Sequence, residues 1–109
     1  MMRRGDMVTV VASGDFGKPR SAVIMQSDVL DRSSSVVVCL LTTHCVDAPA
    51  VRITVEPAAA NGLTRVSQIM VDKIVAVPVA RIGKVIGRLD DETMLRLNRT
   101  LAFVVGLGE

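Results

Sequence analysis

Residues 36–43 read Val36-Val37-Val38-Cys39-Leu40-Leu41-Thr42-Thr43. An unbroken apolar run rich in β-branched residues, without polar alternation, reads as a strand covered on both faces, by the core on one side and by a helix or a second subunit on the other. The run turns abruptly into two hydroxyls at its end. Outward from it lie further β-rich runs, Met7 to Ala12, Ala22 to Gln26, Val51 to Val55, Gln68 to Ile74 and Val75 to Pro78, separated by turn residues. Their Val and Ile content and their spacing predict a small antiparallel barrel or sandwich.

Two irregular stretches punctuate these runs. Ser13-Gly14-Asp15-Phe16-Gly17-Lys18-Pro19-Arg20 carries two glycines and a proline, so it reads as a loop and candidate lid rather than a tight hairpin. Glu56 to Gly62 ends in an Asn-Gly turn signal. In Val79 to Leu89 the residues Ile82, Val85, Ile86 and Leu89 fit a helix face, but Gly83 and Gly87 oppose a stable helix. A turn followed by a short strand is expected there. Asp90-Asp91-Glu92 then supplies an N-cap and two acids at a positive helix end, and Met94, Leu97, Leu101 and Val104 recur on one face until Gly106. The fold class is mainly β with one C-terminal amphipathic helix.

At 109 residues and 50% hydrophobic content the chain fits one domain, residues 1–109. A chain of this size buries only about two-thirds of its unfolded surface. Two Phe with no Trp or Tyr add little aromatic bulk. A homodimer is therefore expected, and the apolar run and the amphipathic helix supply the surface for it. A formal charge of +2 is too small to attract polyanions by bulk field, so any nucleic-acid site must be focused by a local patch of the 13 Lys and Arg. The apolar run Met7 to Ala12 is cut short by Ser13-Gly14-Asp15, and no stretch approaches the roughly 18 residues of a membrane span. A cytoplasmic protein without a membrane partner is expected. Cys39 and Cys45 with the single His44 fall short of the usual four ligands of structural zinc, and on one extended segment the two thiols stand too far apart to pair. Both read as buried free thiols.

Standard catalytic signatures are missing: there is no Walker-type loop, HExxH, G-x-S-x-G or CxxC. His44 beside Thr43 reads as a surface or strand-end residue. Three patches remain. In Lys18-Pro19-Arg20 the guanidinium begins on a rigid strand while Lys18 stays on the loop, which suits either an anion clamp or a solvated strand edge. Thr42 and Thr43 serve either a phosphate or the backbone of the next turn. In the fifth run Gln68, Met70 and Asp72 share one side of the strand, and Ser67 precedes them. Asp72 is there either a structural salt-bridge acid or a site carboxylate.

Together these patches resemble the MazF/PemK toxin family of the Kid/CcdB superfamily, from Arg4 to Gly106. Arg4-Gly5-Asp6-Met7-Val8 looks like the family's start, and residues 17–28, Gly17-Lys18-Pro19-Arg20-Ser21-Ala22-Val23-Ile24-Met25-Gln26-Ser27-Asp28, are similar to its signature G-x-x-R-P-x-[LV]-[IV]-[IV]-Q-[NS]-[DE]. Leu41-Thr42-Thr43, the stretch Ser67 to Ile74 and the stretch Leu89 to Met94 follow in the family's order. The chain departs from the pattern at Ser21, where the family has proline, and at Met70, where the Kid-like branch carries arginine.

The resemblance implies an SH3-type antiparallel barrel, a homodimer, a cognate antitoxin protein, and an endoribonuclease that cuts single-stranded RNA and uses no cofactor. It implies Arg20 and Thr42 as the catalytic pair, with Lys18, Phe16, Thr43, Gln68 and Asp72 binding RNA or supporting the site. It further implies attack by the RNA 2′-hydroxyl, leaving a 2′,3′-cyclic phosphate and a 5′-hydroxyl. Rival readings are a gyrase-directed toxin of the CcdB type and a catalytically silent RNA-binding barrel. Because no cluster of carboxylates or histidines in the sequence suits a catalytic ion, RNA cleavage is expected to proceed undiminished in EDTA. Activity lost in EDTA and restored by magnesium contradicts this.

Overall fold

Strand β3 (Ser35–Thr42) forms where the apolar run predicts it, and the other elements are arranged around it. The computed structural model describes residues 2–11 and 18–108. Among these, β1 (Asp6–Val11), β2 (Pro19–Ile24), β4 (Arg52–Val55), β5 (Ser67–Met70), β6 (Val75–Pro78) and β7 (Ile82–Arg88) precede helix α1 (Asp91–Val104). The candidate lid falls mostly outside the described residues, and Phe16 with it.

All strand pairs are antiparallel. Five strands run in the order β6-β3-β2-β1-β7, and the last two residues of β3 also join β5 and β4 in a smaller sheet. The end strands β4 and β7 do not pair, so the barrel is open along that side. The opening is bridged by backbone. The Arg88 N–H donates to the Ala60 carbonyl at 2.7 Å. Gly62 (φ +72°) and Gly87 make this approach possible: a Cβ on Gly62 would lie 2.1 Å from the Ile86 carbonyl oxygen, and one on Gly87 2.4 Å from the Asn61 carbonyl carbon.

Alternation along the strands sorts their side chains onto two faces. On one, Met7, Val23, Cys39 and Leu41 join Ile53 and Ile69 of the small sheet and Leu97 of α1. On the other, Val8, Val10, Ala22, Ile24, Val36, Val38 and Val77 form a second cluster. β3 is thus covered on both faces, as its sequence requires, but within one chain. Val36 and Val38 are fully buried without a second subunit. The most exposed large apolar side chains lie instead on α1 and its tail, at Leu95, Phe103, Val105 and Leu107, and at Val29 and Leu30, with exposed valines elsewhere such as Val85 of β7.

In α1 the predicted face packs as expected, with Leu97 buried and Met94, Leu101 and Val104 against the first cluster. Asp90 occupies the N-cap position, but its carboxylate makes no cap hydrogen bond. Asp91 and Glu92 still place negative charge at the positive end. Gly106 (φ +81°) ends the helix: its N–H donates to Phe103 and that of Leu107 to Ala102, a Schellman closure.

Two sequence expectations are corrected. The fifth run is not one strand, because β5 stops at Met70 and Val71–Lys73 form a 3-10 turn. The registers give the reason. From Leu41↔Ile69 to Val38↔Val75, β3 advances 41 − 38 = 3 residues while its partner advances 75 − 69 = 6. The surplus of three is taken up by the turn, which leaves Asp72 off strand β5, its carboxylate reaching Arg52, the cross-strand partner of Met70. Cys45, read as buried, is exposed because β3 has already ended; only Cys39 is buried, and burial pushes its thiol up to about 12.

The flanking polar residues of the signature fasten this frame. The Arg4 guanidinium donates to the Met25 carbonyl at 2.8 Å and to Asn98 of α1 at 2.6 Å. The buried Gln26 accepts from the Val37 N–H and donates to the Asp31 carbonyl. The Arg4 backbone N–H on Asp28 holds that carboxyl below the usual carboxylate range.

Gly87→Ala is expected to lower stability by about 1–3 kcal/mol, since the new methyl meets unyielding backbone. Gly108→Ala, where a Cβ meets nothing within 4 Å, serves as the neutral control. Urea denaturation giving equal midpoints for the two variants contradicts the seam.

Candidate active site

The pairing of β2 with β3 follows a register Ile24↔Val38, Val23↔Cys39, Ala22↔Leu40, and there it ends. Two further steps along the same register set Arg20 opposite Thr42. By alternation Arg20 shares the face of Ala22 and Ile24, and Thr42 the face of Leu40 and Val38. The two side chains therefore stand on the same side of the sheet, beyond the edge of the second apolar cluster. Thr42 meanwhile pairs with Gln68 of β5.

A cleft of about 390 Å³ opens at this place. Lys18, Pro19, Arg20 and Ser21 form one lip, and Leu41, Thr42, Thr43 and His44 the other, with Ser67 added from β5. Its chemistry is one-sided. Lys18 and Arg20 bring positive charge, four residues bring hydroxyls, and no carboxylate is among the described lining residues. Such a cleft suits an anion with several acceptor oxygens. The Thr42 hydroxyl oxygen accepts the His44 N–H at 3.1 Å, which orients the hydroxyl and leaves its proton to donate.

The structure therefore brings together Lys18, Arg20, Thr42 and Thr43 of the residues expected at the site. Gln68 lies outside the cleft. Its buried amide accepts from the Val46 N–H at 3.0 Å and donates to the Val46 carbonyl at 2.9 Å and to Thr54 Oγ1 at 3.3 Å. It thus pins the loop that continues from Thr43 and His44. Asp72 lies 3.4 Å from Arg52 and 3.5 Å from Lys73 and is not among the residues that line the cleft. Met70, the other departure from the family pattern, is buried in β5.

Three polar lining residues, Ser21, His44 and Ser67, are not assigned to the site by the sequence. Ser67 was grouped with Gln68 and Asp72, but only Ser67 reaches the cleft. Ser21 figured only as a missing proline. His44 was set aside as a strand-end residue; its position two residues after Thr42 was the available signal.

Comparison with known proteins bears on this cleft and its scaffold. Residues 3–105 match the family described as the PemK-like, MazF-like toxin of type II toxin-antitoxin systems. The chain is 43% identical over 107 residues to the probable endoribonuclease MazF of Mycolicibacterium smegmatis, covering 97% of this chain and 98% of that one. The structure of the Mycobacterium tuberculosis toxin MazF-mt6 superposes with a TM-score of 0.78 at 22% identity, over 93% of this chain and 96% of that one. An endoribonuclease in complex with its cognate antitoxin, from a mycobacterial species, superposes with a TM-score of 0.81 at 19% identity, over 98% and 97% of the two chains. At such identities the superpositions establish a common fold.

Gln68→Leu leaves the Val46 N–H and carbonyl without their partner, and is expected to cost about 1–3 kcal/mol. Hydrogen exchange at the Val46 amide should quicken, with the rest of β3 protected. Unchanged exchange there contradicts the pinning role.

Proposed function

The chain belongs to the PemK-like, MazF-like toxins of type II toxin-antitoxin systems and is an endoribonuclease of that kind, and from that premise we propose that the cleft between Lys18-Arg20 and Thr42-Thr43 is where it cuts single-stranded RNA. The observation that carries the reading is the arrival of Arg20 and Thr42, from different strands, on one face and in one cleft.

The scissile phosphate enters with its non-bridging oxygens toward Arg20. The 2′-hydroxyl of the preceding ribose attacks phosphorus, the bond to the 5′-oxygen breaks, and a 2′,3′-cyclic phosphate and a 5′-hydroxyl result. Negative charge grows on the non-bridging oxygens in the transition state, and a planar guanidinium meets two of them with parallel hydrogen bonds. The Thr42 hydroxyl, oriented by the His44 N–H, donates a further bond to a phosphate oxygen or positions the 2′-hydroxyl. Lys18 holds a neighbouring phosphate. None of these steps calls on a metal ion or cofactor.

The rest of the reading concerns partners and place. The protein acts in the cytoplasm, as a homodimer, and is held in check by a cognate antitoxin protein that covers the cleft. The exposed Leu95, Phe103, Val105 and Leu107 on one end of the molecule support a protein partner, since such side chains gain from being covered. No helix among the described residues is long and apolar enough to cross a membrane.

Arg20→Ala is expected to lower the single-turnover rate on a defined oligonucleotide by about 100-fold or more, as for removal of a transition-state donor, while RNA binding weakens far less. Arg20→Lys should recover little of it. Thr42→Val keeps the shape, deletes the hydroxyl and should slow cleavage, whereas Thr43→Val should be milder. Near-wild-type cleavage by Arg20→Ala ends the assignment, and equal losses at Thr42 and Thr43 end the choice of Thr42.

A further inference from the structure

Among its described residues the cleft is rich in groups that give hydrogen bonds and poor in groups that take protons. The Lys18 ammonium and the Arg20 guanidinium are protonated donors, and a guanidinium keeps its protons at any working pH. Ser21, Thr42, Thr43 and Ser67 offer hydroxyls, which are weak bases, and Pro19 and Leu41 offer nothing titratable. Attack by a 2′-hydroxyl requires that its proton go to an acceptor. Among the described lining residues the one side chain able to accept it near neutral pH is the His44 imidazole.

Its placement fits the task. The His44 backbone N–H is bonded to Thr42 Oγ1 at 3.1 Å, so the residue is fixed to the hydroxyl that orients the substrate. Two residues on, the Gln68 amide holds Val46 by both its N–H and its carbonyl. The loop carrying the imidazole is thus tied down on both sides of it. The residue itself is exposed and lines the cleft, within reach of an entering ribose.

We propose that His44 is the general base of the cleavage, an assignment that rests on the cleft being the RNA-cleaving site. The neutral imidazole takes the 2′-hydroxyl proton as the 2′-oxygen bonds to phosphorus. The bond from phosphorus to the 5′-oxygen breaks, and the departing oxygen takes a proton from water. The hydroxide so formed is neutralised when His44 gives up the proton it received, and the enzyme returns to its starting state. Among the described residues the charged groups facing His44 across the cleft are Lys18 and Arg20; β5 contributes the uncharged Ser67.

A base must be unprotonated to act, so the wild-type single-turnover rate should rise with pH and then level off. His44→Ala and His44→Gln should each lose about 100-fold or more at neutral pH, with RNA binding and urea stability unchanged. In both, the levelling-off should give way to a rate that keeps rising with hydroxide concentration. The decisive arm uses an RNA whose scissile 5′-bridging oxygen is replaced by sulfur, a leaving group that needs no proton. Loss of a general base persists on that substrate. If His44→Ala is slow on the oxygen substrate and restored on the sulfur one, His44 is an acid and the proposal fails. If His44→Ala cleaves like wild type while Arg20→Ala does not, the proposal fails and the site stands. If Arg20→Ala also cleaves like wild type, the site assignment itself has failed.

Discussion

The structure depends on β3 being hydrogen-bonded on both edges while its two edges run out of partners at different points. One edge holds β2 only as far as Leu40; the other holds β6 and then β5, as far as Thr42. Along its length the strand sends odd-numbered side chains to the cluster beneath α1 and even-numbered ones to the second cluster. Its sequence has to be apolar throughout to satisfy both. Where β2 is lost the apolar cover is lost too, and Thr42, Thr43 and His44 emerge in its place beside Arg20. Scaffold and cleft are consequences of one strand having unequal edges.

Much of this was legible in the sequence. The unbroken run Val36 to Leu41 gave a two-sided strand because polar alternation was missing, and the spacing of Met94, Leu97, Leu101 and Val104 gave the helix face that packs. Gly83 and Gly87 told against a helix, and Gly87 sits where only a bare backbone fits. What stayed hidden depended on register. Gln68 to Ile74 looks continuous as a β run, and nothing in its composition marks the three residues that β3 leaves without a counterpart. Asp72 falls in the turn and not on the strand for that reason. Cys45 was misread because the strand end lies at Thr42, not beyond it. The juxtaposition of Arg20 with Thr42 is likewise a fact of register, which periodicity does not encode; only the family resemblance suggested it. As a lone residue His44 reads as a surface or strand-end residue, and its place in the cleft becomes visible only with the fold.

The electrostatics of the cleft follow from that inventory. With a net charge of +2 the molecule has little long-range pull on RNA. Two cations among the described lining residues bring positive charge to one place, so a phosphate is favoured locally. The family departures fit the same picture. Ser21 adds a hydroxyl to the lining where the family has proline. Met70, in place of an arginine, is a buried side chain of β5, so the cationic character of the cleft comes from β2 and the loop before it.

The chemistry proposed here stands or falls on the nucleophile. An oligonucleotide carrying one 2′-deoxyribose on the 5′ side of the mapped scissile phosphate differs from its all-ribose counterpart by a single oxygen atom, and it should bind the cleft about equally well. No cleavage at that linkage, with cutting of the all-ribose strand in the same mixture to a 2′,3′-cyclic phosphate, is the predicted result. Cleavage of the deoxy linkage at a comparable rate would mean that water attacks instead, and would contradict the roles given to Arg20, Thr42 and His44 together.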